Sequence, residues 1–405
     1  MDLGNGFGHL TYSTLVHPGD TWDLMNASVR EFCPVVKKAV SPNAPFAMSL
    51  RLSGQSAALL AGDAAERAAL CEFLRDEDMY VMTVNAFPHG PFKGGMVKEQ
   101  VYEPDWASET RVTYTTQVAE VLAAIVPEGV EPSIQTAPLA FKPKVTGPDY
   151  VAAFTNNVLR VVANLVDIER LTGRRVKLAI EPEPYCYLAT TEETVAYFGE
   201  HLFSGVAAAT LARLSGMALS QAHGALRRHL GVVFDICHQA VEFEDIPHSL
   251  ASLAGAGIPV FKLQEAAALW IPEVNTETVA ALEGYADTIY LTQTTQLRDG
   301  ELTRFLNIQD AVEAWRANPG PCQWRTHFHV PVFLDDLGPF RTTRFAIEDA
   351  LKVHAKAPVS DHLEIETYTW DVLPDHLKTA DITAYVTREL NWVQETLQAA
   401  STPAI

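Results

Sequence analysis

Short runs of β-branched and aromatic residues alternate with longer amphipathic stretches from one end of this 405-residue chain to the other. No other feature restricts the fold as tightly. A run of period two followed by one of period three to four is a βα unit, and such units in series build a parallel sheet covered by helices. Strand-like runs fall at 9–14, 46–52, 79–85, 133–137, 176–181, 231–235, 258–264, 288–294, 324–330 and 362–367. That is more than the eight places of a (β/α)8 TIM barrel, the expected α/β architecture, and the chain is long enough for one barrel with insertions. The surplus reads as a hairpin, because Arg298-Asp299-Gly300-Glu301 is a turn signal between 288–296 and 302–306. Which runs take the seventh and eighth places stays open.

Helices are expected at 63–75, 150–171 and 382–397 from apolar residues at three- and four-residue spacing, and Thr190 with Glu193 reads as a capping box. No repeat or linker divides the chain, so residues 1–400 read as a single barrel domain and 401–405 as a flexible tail.

The formal charge of −20 opposes binding to phosphate backbones or anionic lipid, so no nucleic-acid partner is expected. Five cysteines, Cys33, Cys71, Cys186, Cys237 and Cys322, are scattered without a CxxC pair, which fits a reducing cytoplasm. Neither an export signal nor a membrane span is expected, since nowhere do eighteen apolar residues run uninterrupted. Association into a homo-oligomer is compatible with a barrel of this size.

In a barrel the chemistry gathers where strands end, so a polar residue closing an apolar run counts for more than one elsewhere. Val176-Lys-Leu-Ala-Ile-Glu181 closes on a carboxylate followed by Pro182-Glu183-Pro184, and a divalent cation is a natural counter-charge for such a group. Glu183 itself reads as a solvated loop carboxylate. The run Gly231-Val-Val-Phe-Asp235 leads into Asp235-x-x-His238, which suits a metal ligand beside an acid/base, or equally an Asp capping the next helix with His238 on the surface. His362-Leu-Glu364-Ile-Glu366 carries two carboxylates on one face, and Glu366 lies nearer the strand end. His327 and His329 share a strand face, as ligands or as a hydrogen-bonded interior pair. Gln264 ends its run and could lend a carbonyl oxygen to a hard ion.

Further candidates are substrate-binding: His9 in the first run, Asn85 and His89 after the third, His327, and Trp370 as a stacking platform, a role also open to Trp106. Structural roles compete for His17 and Lys98. Carboxylate, amide and imidazole without thiolate point to Mn, Zn, Mg or Co. Such an ion can hold two vicinal oxygens of a polyol, which makes a sugar-like substrate reasonable.

Glu181, Asp235-x-x-His238 and Glu366, each closing a run, resemble the sugar isomerase/epimerase superfamily of xylose-isomerase-like TIM barrels. More narrowly, His9-Leu-Thr-Tyr12, Val97-Lys98-Glu99-Gln100-Val101-Tyr102, Pro104-Asp105-Trp106, the segment from His327 to Phe333 and that from His362 to Asp371 resemble EboE-type metabolite traffic proteins of the bacterial ebo operon. The resemblance implies a cytoplasmic, metal-dependent barrel acting on a small polyol or cyclitol-like metabolite in a secondary-metabolite pathway, with other proteins of the same operon as partners. It also implies ligands Glu181, Asp235 and Glu366, with a His as the fourth. This chain has Gln264 where that His is often found, so either Gln264 takes the place or His329 does, and His329 is preferred. Glu181 and Glu366 would be the catalytic acid/base pair, and His238 would hold substrate or metal-bound water.

The expected activity is therefore isomerisation or epimerisation by proton transfer between carbons. Two other readings compete. One is a metal-dependent hydrolase of a small phosphate ester, since His238, His327 and His329 could suit two metals. The other is a non-catalytic carrier or partner in a metabolite-transport complex, which would tolerate Glu366→Gln. An amidohydrolase would place its His-x-His in the first strand and is discounted.

Overall fold

A computed structural model describes residues 1–93, 95, 97–282, 289–372, 378 and 380–402. Its strands in chain order are β1 His9–Tyr12, β2 Phe46–Arg51, β3 Met79–Asn85, β4 Ser133–Thr136, β5 Lys177–Ile180, β6 Leu230–Asp235 and β7 Val260–Glu265, followed by β8 Ala267–Ile271, β9 Thr294–Arg298, β10 Glu301–Phe305, β11 Gln323–Val330, β12 Arg341–Thr342 and β13 His362–Ile365. Eight of them form one parallel sheet in the order β1-β13-β7-β6-β5-β4-β3-β2. Its two ends meet through a parallel bridge, Ser13↔Ser49, which makes the sheet a (β/α)8 barrel. The run at 258–264 thus takes the seventh place and the one at 362–367 the eighth. Strands with both faces covered read as unbroken apolar runs, and β2 and β6 are buried along their whole length.

The surplus is larger than a hairpin. Between β7 and β13 lies a five-stranded antiparallel sheet in the order β10-β9-β11-β8-β12. The expected hairpin is there as β9 and β10, turned by Asp299 and Gly300 with φ of 52° and 83°, a left-handed pair that suits a two-residue turn. The run at 288–294 contributes only Thr294 to β9, and Thr288 lies outside the described residues. Strand β8 was not among the expected runs: Ala266 alone separates it from β7, with no turn signal between them. Leu269, Ile271, Trp324 and Val330 of this second sheet join the same continuous core as the barrel.

The helices follow their expected spacing. Asp63 caps Ala64–Asp76 by accepting from Ala65 and Glu66 N–H, and Thr190 and Glu193 form the reciprocal cap of Thr191–Tyr197. The expected 382–397 helix runs Ile382–Ser401, with Thr402 its cap, and 403–405 lie outside the described residues. The expected 150–171 helix runs Pro148–Thr172, opened by Pro at its first turn and ended by Gly173 at φ 71°. Among the described residues it alone is long and apolar enough to cross a membrane, but Phe154, Val158, Val162 and Leu165 are fully buried in the barrel's core, which accounts for its apolarity.

Closely packed strands leave little room at Gly231 in β6. A Cβ there would lie 2.4 Å from the Pro259 carbonyl oxygen and 2.8 Å from the Phe261 ring. Gly231→Ala should therefore destabilise the protein by about 1–3 kcal/mol, read as a lowered midpoint in thermal or urea unfolding followed by circular dichroism. A midpoint equal to that of the unaltered protein would refute the close approach.

Candidate active site

Four strand ends bring four polar side chains to one point. Glu181 follows β5 and Glu366 follows β13, while Asp235 and Gln264 lie at the ends of β6 and β7, and all four are buried. Oxygens of Glu181, Asp235 and Glu366 lie within 4.8 Å of one another. The Gln264 amide nitrogen sits between them, donating to Glu181 Oε1 at 3.0 Å, to Glu366 Oε2 at 2.8 Å and to Asp235 Oδ2. An amide has two protons, so it cannot serve three carboxylates at once. Its own Oε1 is buried without a partner. Burial and the neighbouring carboxylates raise the Glu181 pKa, and burial with Glu364 and Asp235 nearby pushes Glu366 up to about 8. A divalent cation fits this arrangement. It would neutralise the trio, and turning the Gln264 amide over would give its orphaned oxygen a partner.

A second ring of polar groups holds these carboxylates in place. Glu181 Oε2 accepts from Gln135 Nε2 at 2.6 Å. The other end of the Gln135 amide accepts from Lys262, whose ammonium pairs with Glu364 at 3.0 Å in the barrel interior. Because an ammonium only donates, Lys262 fixes which end of Gln135 faces Glu181. Glu366 Oε1 accepts from Asn85 Nδ2 at 3.0 Å and Ser13 Oγ at 3.3 Å. Asp235 takes the helix-capping role that the sequence allowed, and its other oxygen faces the cluster. Its Oδ1 caps the helix Ile236–Val241 through the His238 N–H at 3.2 Å, and its Oδ2 faces Gln264.

Beside the carboxylates lie three imidazoles. His238 Nε2 is 3.3 Å from His327 Nε2, which is 3.2 Å from His329 Nε2, and Asp235 Oδ2 is 3.6 Å from His238 Nε2. Burial between His238 and His329 pushes the His327 pKa well below its usual range, and burial pushes His329 down to about 4. The Tyr368 hydroxyl lies 3.4 Å from His327 Nε2.

These groups floor a cleft of about 500 Å3, its open mouth included. Glu181, Glu183, Glu366, Asn85, Gln135, His238 and His327 line its base, while Leu15, Phe87, Phe92, Val97, Tyr290 and Leu291 wall it and Lys98 stands among them. Lys98 donates to the Tyr290 carbonyl at 2.6 Å and to Asn307 Oδ1 at 3.4 Å.

Several expectations need correction. His329 stands with the other imidazoles, so Gln264 occupies the place among the carboxylates that was preferred for it. His9 begins β1 rather than ending it. It lies at the opposite mouth of the barrel, bonded to Tyr80 at 3.0 Å in a pocket shared with Lys177 and Asp361. His89 packs edge-on against Tyr114, with Gly54 beneath it. Trp370 packs at a tilt against Tyr385 of the C-terminal helix, its ring 4.5 Å away, and does not line the cleft. Glu183 is buried, not solvated, and accepts from Tyr102 at 2.7 Å and Gln293 at 3.0 Å. His238 is likewise buried. His17 stacks on Phe32 at 4.3 Å, and Trp106 is core, bonded to Thr136. Gln135, Gln293 and Tyr368 were missed. Gln135 lies one residue before the end of β4 and Tyr368 two residues beyond Glu366, so proximity to a strand end could have drawn attention to both.

Barrel, cleft and buried carboxylates define a (β/α)8 TIM barrel with a polar site at its strand ends. Solved structures similar to it include the IOLI protein with a binding zinc atom, at 12% identity and a TM-score of 0.46 over 97% of this chain and 98% of that one. A xylose isomerase-like TIM barrel protein from Mycobacterium smegmatis in complex with magnesium matches at 10% identity and 0.49, over 99% and 100%. A D-tagatose 3-epimerase-like protein matches at 12% and 0.48, over 97% and 98%. No protein-family model matches the sequence, and neither does any curated protein.

The raised carboxylates make metal binding and stability depend on pH in a fixed sense. Where a folded-state pKa lies above its unfolded value, the folded protein holds the proton more tightly, so stability falls as pH rises from the ordinary 4.5 toward about 8. A divalent ion displaces that proton. The metal-free protein should lose thermal stability between pH 5 and 8, and the rise in Tm on adding manganese chloride should be larger at the higher pH. Calorimetry showing the same metal-induced rise at both values would contradict this account.

Proposed function

We propose that the protein is a metal-dependent isomerase or epimerase of a sugar or cyclitol, moving a proton between carbons at the C-terminal face of the barrel. The observation that carries this reading is the pair Glu181 and Glu366, from strands three places apart around the barrel, both lining the cleft floor with Gln264 between them. Glu181, Asp235, Glu366 and the Gln264 carbonyl would hold the ion. When bound, it would polarise a substrate carbonyl or hydroxyl and make the neighbouring C–H acidic.

The rest falls to the side chains. One glutamate takes the proton from carbon and the other returns one, to the adjacent carbon in an isomerase or to the opposite face in an epimerase. Without an ion the Glu366 carboxyl is raised to about 8; a bound ion would lower it and leave a carboxylate able to take a proton from carbon. Gln135, Asn85 and Ser13 keep the two carboxylates aimed. Aromatic walls at Phe87, Phe92 and Tyr290 suit the C–H face of a ring and keep water away from the carbanion. The metabolite's place in a cytoplasmic secondary pathway, alongside proteins of one operon, belongs to this proposal through the motif resemblance.

A second reading, hydrolysis of a small phosphate ester, draws on the convergence of His238, His327 and His329 beside Asp235. One experiment separates the two. The manganese-loaded protein is incubated in D2O with a panel of ketoses, cyclitols and their phosphates, and deuterium incorporation and phosphate release are followed by NMR. Exchange into carbon, reduced about 10²- to 10⁴-fold in Glu181→Gln and in Glu366→Gln, is the expected result. Phosphate release without exchange would favour the hydrolase, and exchange undiminished in both variants would remove the glutamates from the chemistry.

A further inference from the structure

We propose that the cleft is built for an amphiphilic ligand: a sugar or cyclitol bearing an apolar group, aryl or alkyl, on the side away from the reacting carbons. The inference rests on the isomerase reading for the chemistry at the floor and adds the class of substrate.

The floor is polar, but most of its side chains are committed to one another. Gln135 gives one end of its amide to Glu181 at 2.6 Å and the other to Lys262. Asn85 donates to Glu366 at 3.0 Å and accepts from the Phe87 N–H at 3.2 Å. Gln293 donates to Glu183 at 3.0 Å and to Tyr102 at 2.9 Å, while its Oε1 faces His327 Nδ1 at 3.0 Å. The Tyr102 hydroxyl donates to Glu183 at 2.7 Å. Both of these donors to Glu183 meet Oε1, which leaves Oε2 for a ligand. Besides an ion on the carboxylates, a ligand therefore finds Glu183 Oε2 and the edges of His238, His327 and Tyr368, all at the base. Such a set can hold roughly two or three oxygens.

Above the base the lining changes character. Two small apolar clusters distinct from the main core supply it: Leu15, Phe92, Val97 and Tyr290 belong to one, Phe87 and Leu291 to the other, and Val101 packs against both. Polar atoms among them are turned elsewhere. The Tyr290 hydroxyl donates to the Phe92 carbonyl at 3.2 Å, and Lys98 donates to the Tyr290 carbonyl at 2.6 Å and to Asn307.

A free hexose or inositol carries a hydroxyl on nearly every carbon, and burial against these walls would leave most of them without partners. A ring can lay its C–H face on one wall, but its rim of hydroxyls then meets the rest. An apolar group removes the conflict. With two adjacent oxygens at the carboxylate site and a third at Glu183, the far carbons of the ring face Phe87, Phe92 and Leu291, where an aryl or alkyl substituent is buried against apolar atoms. The cleft, about 500 Å3 with its mouth included, lies in the range that encloses a drug-sized molecule.

The test compares scyllo-inosose with its monobenzyl ether, the ether being on the carbon across the ring from the carbonyl. Calorimetry on the whole manganese-loaded protein gives the affinity of each, and NMR in D2O follows deuterium entering carbon. The ether should bind about 10- to 100-fold more tightly than the free inosose, the gain expected from burying one aryl group. Leu291→Asn and Phe87→Asn, checked for folding by circular dichroism, should each cut that ratio to about threefold or less by placing an amide among the apolar atoms. The comparison on the unaltered protein needs no variant. Equal affinities, tighter binding of the free inosose, binding of neither compound, or a ratio unchanged in both folded variants would each overturn the proposal. Tighter binding of the ether without deuterium entering carbon would remove the isomerase reading and leave the amphiphilic ligand standing, whereas exchange with equal affinity for both compounds would sustain that reading and end this one.

Discussion

Three carboxylates buried at one end of a barrel around a single amide set the terms for everything near them. Removing a carboxylate from water is costly, and three within reach of one another add mutual repulsion to that cost. The chain answers with donors on several strands: Ser13 and Asn85 on Glu366, Gln135 on Glu181, and Gln264 among all three. Lys262 is already engaged by Glu364 lower in the barrel, and the two act on Glu366 in opposite senses. Lys262 also orients Gln135. The remaining imbalance is what a divalent ion corrects, and it is also what keeps a carboxyl protonated near neutrality when no ion is bound.

Much of this could be read from the residues. Glu181, Asp235 and Glu366 each close an apolar run, and a polar residue there leaves the sheet on the side where βα loops gather. The same logic reached Gln264 and Asn85. It failed where strand direction was ignored. His9 opens its strand, so its side chain emerges at the far mouth, against Tyr80, although the run it belongs to was assigned correctly. Trp370 follows Glu366 by four residues, but the turn after β13 carries it onto Tyr385. Nearness in sequence to a strand end is therefore not enough, since the chain leaves the barrel within a residue or two.

The second sheet was the less legible part. Periodicity identifies a strand but says nothing of which sheet it joins. The run containing His327 and His329 has the same pattern as a barrel strand, and yet β11 pairs with β8 and β9 instead. Its pairing with β8 shifts register between Thr326 and His329, a local irregularity of the kind that re-aims side chains. Only the fold shows that this aims two imidazoles at the rim of the barrel. Glu183 illustrates the converse. Its loop position suggested solvent, but Gln293 and Tyr102, both distant in sequence, bury it and satisfy it.

Two sheets therefore divide the chemistry by residue type. The barrel supplies oxygen donors from β5, β6, β7 and β13, all fixed by one hydrogen-bonded sheet whose register leaves them little freedom. The inserted sheet supplies His327 and His329, and the helix after β6 supplies His238. Asp235 stands at the junction, since the same residue ends β6, caps that helix and faces Gln264. Barrel and inserted sheet are tied at several points, among them Gln293 to Glu183, Arg304 to Glu242 and His329 to the Glu366 carbonyl, so imidazoles and carboxylates are held in one frame. The insertion thus brings nitrogen-bearing side chains beside the strand ends without displacing the carboxylates buried there.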